Sequence, residues 1–358
     1  MPPQSMKGER VFITGGAGFI GSRLVQALAA LNADITIFDN LLQQVHGPSP
    51  VIDLPGRMIV GDIRDAAALA GALGECRPTI VVHLAAETGT GQSADEPVRY
   101  VDVNVGGTAR LIEALKQLKD APSRVVLAAT RAVYGEGAYL DNAGRTTVPL
   151  PRQPSEMARG VFDLYDKEGN LLTPIPTPEH VPPAPGSVYG SSKLMQEYLL
   201  QQVAAPWQAV ILRLQNVYGP GQSLRNPYTG VLSIFCQQAL AGRTLNIFED
   251  GNIHRDFVFV DDVVAAFVAA CHEPGALGRT INIGTGERTS IHDAAILILR
   301  SLGLPTERLA ISGEYRAGDI RHAVADITLA RALLKWTPNT SFSRGIAQLS
   351  AWSMRETT

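Results

Sequence analysis

The run Thr-Gly-Gly-Ala-Gly-Phe-Ile-Gly, residues 14–21, joins an apolar stretch, Val11-Phe12-Ile13, to a segment with helical spacing from about Phe19 to Ala30. Few folds accommodate that order so near the start of a chain. Gly15, Gly18 and Gly21 let the backbone turn tightly and let its amides approach a ligand. The first turn of the following helix then faces the ligand with unsatisfied N–H groups and a positive dipole end, which suits an anion. A glycine turn alone is common. Set between a buried strand and a helix, it predicts a pyrophosphate site for a dinucleotide.

The rest of the first half repeats this alternation. Ile35–Phe38, Met58–Val60, Ile80–Leu84, Arg124–Ala128 and Ala209–Leu212 read as further strands separated by helical patterns. Continuous apolar runs of this kind predict a parallel sheet buried on both faces. Asp39 ends the second strand, where a carboxylate accepts from adenosine ribose hydroxyls and repels a 2′-phosphate. No Arg or Lys follows in Asn40–His46, which points to NAD rather than NADP. Asp62, after the third strand, reads either as an acceptor for the adenine amino group or as the N-cap of a helix over Ala66–Leu73.

Tyr189 and Lys193 stand four apart on one face of an expected helix. A phenol is a poor base at neutral pH, and a neighbouring ammonium stabilises its phenolate. Tyr189 can then take a proton from a hydroxyl while a nicotinamide takes hydride from the same carbon. Thr130 follows the strand Val125–Ala129, at the edge of the sheet where ligands of such folds bind. Its hydroxyl serves as a proton relay or, in the plainer reading, bonds to nearby backbone.

With 358 residues and 45% hydrophobic content, the chain can bury a sizeable core. A formal charge of -3 argues against nucleic acid or an anionic membrane as partner. The most apolar stretch, Val258–Cys271, is broken by Asp261 and Asp262, so no membrane span is expected, and Met1–Arg10 lacks the apolar core of a signal peptide. Cys76, Cys236 and Cys271 are too widely spaced for a disulfide framework or zinc motif, which fits a reducing cytoplasm. Residues 136–186 are rich in Pro, Gly and polar residues, with a hairpin turn expected at Lys167–Asn170 and a stiff extended surface loop over Thr173–Pro185. A loop this long, bounded by Thr130–Gly135 and Tyr189, reads as a partly ordered flap near the sugar pocket, or equally as a solvent-facing decoration or a dimer contact.

These motifs together resemble the extended short-chain dehydrogenase/reductase family. The likeness runs through Thr14–Gly21, Asp39-Asn40, Gly61-Asp62, His83–Ala86, Asn104–Thr108, Ala132–Gly135, Tyr189/Lys193, Arg213–Pro220 and Arg255–Asp262. It implies an α/β Rossmann-type doubly wound parallel sheet with a smaller C-terminal α/β substrate domain. The NAD-binding domain would take residues 8–215 plus about 256–284, and the nucleotide-sugar domain 216–255 and 285–358. By the same resemblance, Thr130, Tyr189 and Lys193 are catalytic. Gly15, Gly18, Phe19, Ile20, Gly21, Asp39, Asn40, Asp62, Ile63, Leu84, Ala85, Ala86 and Asn104 hold NAD, together with Tyr189 and Lys193. Glu87, Thr88, Arg131, Asn216, Arg255 and Arg316 face the nucleotide sugar. Arginine suits diphosphate because its planar fork pairs with phosphate oxygens.

Dehydratases of the family carry Asp-Glu directly after the threonine; here Arg131 and Ala132 stand there. Within the family, Glu87–Ser93, Arg131–Gly137 and the insertion resemble a branch of 4-epimerases, which implies inversion at C4 of a nucleotide-activated hexose, such as a dTDP-linked 6-deoxy sugar. A dehydratase or reductase of the same family is the alternative, and a non-catalytic NAD sensor a more distant one, since such proteins lose the Tyr or Lys. Family dimers pair two helices per subunit, here those near Val98–Leu118 and Tyr189–Val203, which predicts a homodimer.

Overall fold

The expected apolar runs do form one parallel sheet, in a computed structural model that describes residues 5–48, 50–223, 230–316 and 318–357. Its strands are β1 (Arg10–Thr14), β2 (Asp34–Asp39), β3 (Arg57–Val60), β4 (Ile80–His83), β5 (Arg124–Thr130), β6 (Gln208–Leu214) and β7 (Thr280–Ile283). Their spatial order is β7-β6-β5-β4-β1-β2-β3, and every pairing is parallel. The chain begins in the middle, builds to one edge, then returns to β4 and builds to the other. That reversal opens a crevice at the carboxyl ends of β1 and β4.

Helices α1 (Phe19–Ala30), α2 (Ala66–Cys76), α3 (Gly107–Lys116), α4 (Val188–Gln202) and α5 (Val260–His272) cover the two faces. Successive strand residues point to opposite sides. Val11 and Ile13 thus pack with Leu24, Val25 and Leu28 of α1 and with Val263 and Phe267 of α5. Phe12, between them, packs with Leu69 and Leu73 of α2, Leu111 and Leu115 of α3, and Leu200 of α4. Each fully buried leucine here stabilises the fold by ~1.5–3 kcal/mol. The stretch that came nearest to a membrane span is the strand Phe257–Phe259 running into α5, and no helix among the described residues is long and apolar enough to cross a membrane.

Beyond β6, helices Val231–Leu240, Ile291–Ser301 and Phe342–Thr357 share a second core that includes Phe235, Ile298 and Leu349. β7 returns to the main sheet between them in sequence, as expected. The expected C-terminal domain includes residues 224–229 and 317, and the expected leaderless start includes residues 1–4; these lie outside the described residues.

The insertion departs from the sequence reading. Tyr139–Leu140 pairs antiparallel with both Thr146–Thr147 and Thr173–Pro174. The turn at 167–170 is present: Tyr165 bridges Leu171, and the Asp166 amide donates to the Asn170 carbonyl at 2.9 Å. The Thr173–Pro185 segment is extended but not a surface loop, because Thr177 and Val181 are buried and the Thr177 carbonyl accepts from Asn282 Nδ2 at 2.9 Å. Its prolines remove donors, so the run can thread through packed surroundings with few partners. Met157, Leu164 and Leu172 are buried, and ion pairs inaccessible to sequence pattern tie the unit to the C-terminal segments.

Candidate active site

The glycine loop shows why glycine is needed at two of its positions. Gly15 has φ +70°, and a Cβ there would lie 2.6 Å from the Ala85 amide nitrogen. A Cβ on Gly21 would lie 2.5 Å from the Gly15 carbonyl oxygen. The loop therefore packs tightly against the end of β4 and against itself. Gly18 opens α1 with no side-chain cap, so the first-turn N–H groups stay available to an anion. Phe19 and Ile20 are only partly buried, and both lean on the C-terminal core. Leu84 and Ala86 are also partly exposed, in the segment that leaves β4.

Asp39 is nearly buried at the end of β2. Its Oδ2 accepts from the Ala17 amide at 3.0 Å and its Oδ1 from the Leu41 amide at 2.9 Å. The base nearest to it is His46, whose Nε2 is 3.8 Å from Oδ1. Asn40 Nδ2 donates to Asp62 Oδ2 at 3.0 Å, so these two form one wall. The N-cap reading of Asp62 fails: Asp65 caps α2, accepting from the Ala67 and Ala68 amides. Asp62 instead takes a two-pronged bond from Arg64, which, as the main cause, holds its carboxyl well below the usual range. The Ile63 side chain is buried against Gly107.

Asn104 sits on a π-helical turn, Val101–Gly106, a form that often marks functional positions. It is fully buried. Its Oδ1 accepts from the Glu87 amide at 2.8 Å, and its Nδ2 donates to the Glu87 carbonyl and to Ser192 Oγ. It therefore fixes the Glu87–Thr88 turn against α4. Glu87 is paired with Arg99 at 2.9 Å, and the Thr88 carbonyl accepts from Tyr100 Oη at 2.6 Å.

Ser187 caps α4, its Oγ accepting from Gly190 at 3.1 Å, which places Tyr189 on the first turn. The Tyr189 amide donates to Ser93 Oγ at 3.1 Å, and Tyr100 meets its ring edge-on at 6.4 Å. Thr130 Oγ1 accepts from the Ala132 amide at 3.2 Å, as its plainer reading expects, and its hydroxyl stands near enough to the Tyr189 phenol to act on it. Burial raises the Tyr189 pKa, opposed by the Thr130 hydroxyl and by the charge of Arg131. Arg131 adds a second cation near the phenol, beside the Lys193 ammonium to which the sequence argument gave that electrostatic role.

Lys193 lies one turn further on, 3% exposed, with no hydrogen-bond acceptor among the described residues. Burial pulls its ammonium down to about 7, with the nearby charge of Glu197 opposing. A buried cation without a partner is costly, and a ligand acceptor would relieve it. Behind it, sequence reasoning passed over His83, which is fully buried, bonded to Thr14, Thr108 and Gln196, and pushed down to about 3 by burial. It stays neutral and locks the floor of the site. Its only sequence signal was its place at the end of the strand before Leu84-Ala85-Ala86.

Three buried polar atoms near the ends of β5 and β6 lack any partner: Arg131 Nη1, Gln215 Oε1 and Asn216 Oδ1. Gln215 was not anticipated. Burial and the charge of Arg255 bring the Arg131 guanidinium down to about 9. Arg255 is buried and paired with Asp319 at 2.8 Å. Arg316 stands apart on the rim of an open groove, its guanidinium 4.8 Å from the centre of the Phe248 ring.

Fold and site have the form of an α/β dinucleotide-binding enzyme, with an uncapped helix N-terminus at the glycine loop and a buried tyrosine at the start of α4. The residues fit NAD: an unpartnered ammonium at Lys193, free first-turn amides in α1, and a carboxylate at Asp39. Residues 11–157 and 164–284 match the NAD dependent epimerase/dehydratase family, and the chain belongs to that family as an NAD-dependent enzyme. It is 40% identical to a dTDP-L-rhamnose 4-epimerase of Burkholderia thailandensis over 356 residues, 98% of this chain and 96% of that one. It is 34% identical to a UDP-glucose 4-epimerase of Mycolicibacterium smegmatis, covering 95% and 96%. The solved UDP-glucose 4-epimerase of Thermotoga maritima with UDP-glucose superposes with a TM-score of 0.79 at 28% identity, covering 97% and 99%. That of Thermus thermophilus with NAD gives 0.77, also at 28%, covering 96% and 99%.

Proposed function

We propose that the protein is a nucleotide-sugar 4-epimerase that inverts C4 of a dTDP-linked 6-deoxy hexose. The observation that carries this reading is the Thr130 hydroxyl placed beside the buried Tyr189 phenol, with an arginine, not a carboxylic acid, next in the chain. Tyr189 removes the proton of the C4 hydroxyl and returns one later, with Thr130 holding or relaying it. NAD, held at the glycine loop and Lys193, would supply the acceptor and donor of the C4 hydride. Arg131, a permanent donor with a free nitrogen, supports the phenolate and the sugar oxygen. It cannot protonate a leaving hydroxyl as a carboxylic acid does, so dehydration lacks its acid. The 40% identity to a dTDP-L-rhamnose 4-epimerase favours a 6-deoxy sugar.

Lys193 donates to the dinucleotide, Asp39 accepts from its ribose, and the Asp62 wall receives the adenine. Arg255, Arg316 and Asn216 receive the diphosphate, while Glu87 and Thr88 line the sugar side. Incubation with dTDP-L-rhamnose, dTDP-glucose and UDP-glucose, read by NMR, tests the assignment. The expected product is the C4 epimer of the first. A 4-keto-6-deoxy product from dTDP-glucose would establish a dehydratase instead.

The same reading includes a homodimer. Val98 is 80% exposed, Val101 49%, Met195 44% and Tyr198 36%, all on the adjoining helical segments expected to pair. Light scattering should give twice the chain mass at micromolar concentration; a monomer mass would refute it. The three free cysteines fit a reducing compartment.

A further inference from the structure

The insertion carries an arginine that is not a surface cation. The Arg152 side chain is 4% exposed. Its Nη1 donates to both Glu249 carboxylate oxygens at 2.8 and 2.9 Å and to the Phe162 carbonyl at 3.2 Å. Its Nη2 donates to the Asp319 carbonyl at 2.7 Å, and its Nε lies 3.4 Å from Glu136 Oε1. The Asp319 carboxylate in turn accepts from Arg255 Nη2 at 2.8 Å and from the Ile320 amide at 2.9 Å. Arg321, fully buried, binds the far side of Glu249 at 2.8 Å and also reaches Asp163 and Asp250. Arg255 Nη1 also donates to the His254 and Arg321 carbonyls at 2.9 and 3.4 Å, so Asp319 is the side chain, bonded to the insertion, that holds its other nitrogen.

Burying so many ions carries a large desolvation cost, and apolar side chains of similar volume often stabilise as well or better. What the charges add is fixed direction. Arg152 uses one fork to set Glu249 and Asp319 at once, which a lysine or an apolar residue cannot do.

We propose that Arg152 is a positioning residue for the nucleotide subsite: it fixes Asp319, and through Asp319 the direction in which Arg255 meets the diphosphate. This rests on the reading of Arg255 as a diphosphate ligand. The insertion then acts on substrate affinity from beneath the subsite and not as a lid over it.

The test compares the NAD-loaded full chain with Arg152→Met, Arg152→Lys, Arg255→Met and the double Met variant. Calorimetry reads the affinity for dTDP, and the NAD content of each protein is measured alongside. Arg152→Met should weaken dTDP about tenfold, the effect of misdirecting one charge-assisted phosphate contact, with NAD content unchanged. Arg152→Lys should recover part of that loss. The double variant should lose no more than Arg255→Met alone, because Arg152 acts through Arg255. Unchanged dTDP affinity in Arg152→Met, or additive losses in the double variant, overturns the proposal. Unchanged affinity in Arg255→Met instead overturns the diphosphate reading and removes the proposal with it. If Arg152→Met does not fold, Asp319→Asn tests the second half of the chain, the carboxylate that orients Arg255, while Arg152→Lys tests the first. Asp319→Asn should weaken dTDP with NAD content kept, and unchanged affinity there overturns the proposal.

Discussion

Replacing Tyr189 with Phe is expected to abolish nearly all turnover while leaving the fold and NAD content intact. Only the ionisable oxygen is lost; the ring keeps its edge contact with Tyr100 and its backbone bond to Ser93. A positioned acid–base group contributes about 10²–10⁴-fold, which sets the expected fall in kcat. Since burial raises the phenol's pKa, the wild-type rate should climb with pH as the phenolate forms. That rising limb should vanish in the Phe variant. Turnover in Tyr189→Phe within a few-fold of wild type would remove Tyr189 from the chemistry.

The second large effect concerns Lys193, whose ammonium burial brings down to about 7. The folded-state pKa lies below that of the unfolded chain, near 10.4. Between roughly pH 7 and 10 the unfolded chain therefore binds more protons, and the stability of protein stripped of NAD rises with pH through that window. NAD binding runs the other way if the charged ammonium is the form that donates to it. Affinity should be greatest below pH 7 and fall by up to about tenfold per pH unit above it, one proton being taken up with each ligand. Lys193→Met should flatten both profiles and leave NAD weakly held at every pH. A wild-type NAD affinity that is level from pH 6 to 9 would contradict this role.

The parts of this protein that sequence made legible are those built from local pattern. The helix Phe19–Ala30 begins and ends as its apolar spacing indicates, because glycine before it and the strand after it leave no other register. Thr130 and Tyr189 were legible as separate residues, each placed by the element that carries it, and the sheet brings them into contact. What stayed hidden is long-range and ionic. Arg152 meets Glu249 across 97 positions and Asp319 across 167, and no periodicity marks such pairs. Asn104's bonds to Glu87 and Ser192, across 17 and 88 positions, were likewise beyond any local pattern. Arg131 could be noted as replacing an acid, but its electrostatic hold on Tyr189 emerged only from burial.

The central claim is that this site inverts C4 by removing and returning the same hydride. A dTDP-L-rhamnose carrying deuterium at C4, incubated in ordinary water without added cofactor, tests it most directly. The account predicts the C4 epimer with deuterium retained at C4. Epimer formed with the label lost to solvent would point to carbanion chemistry and contradict it.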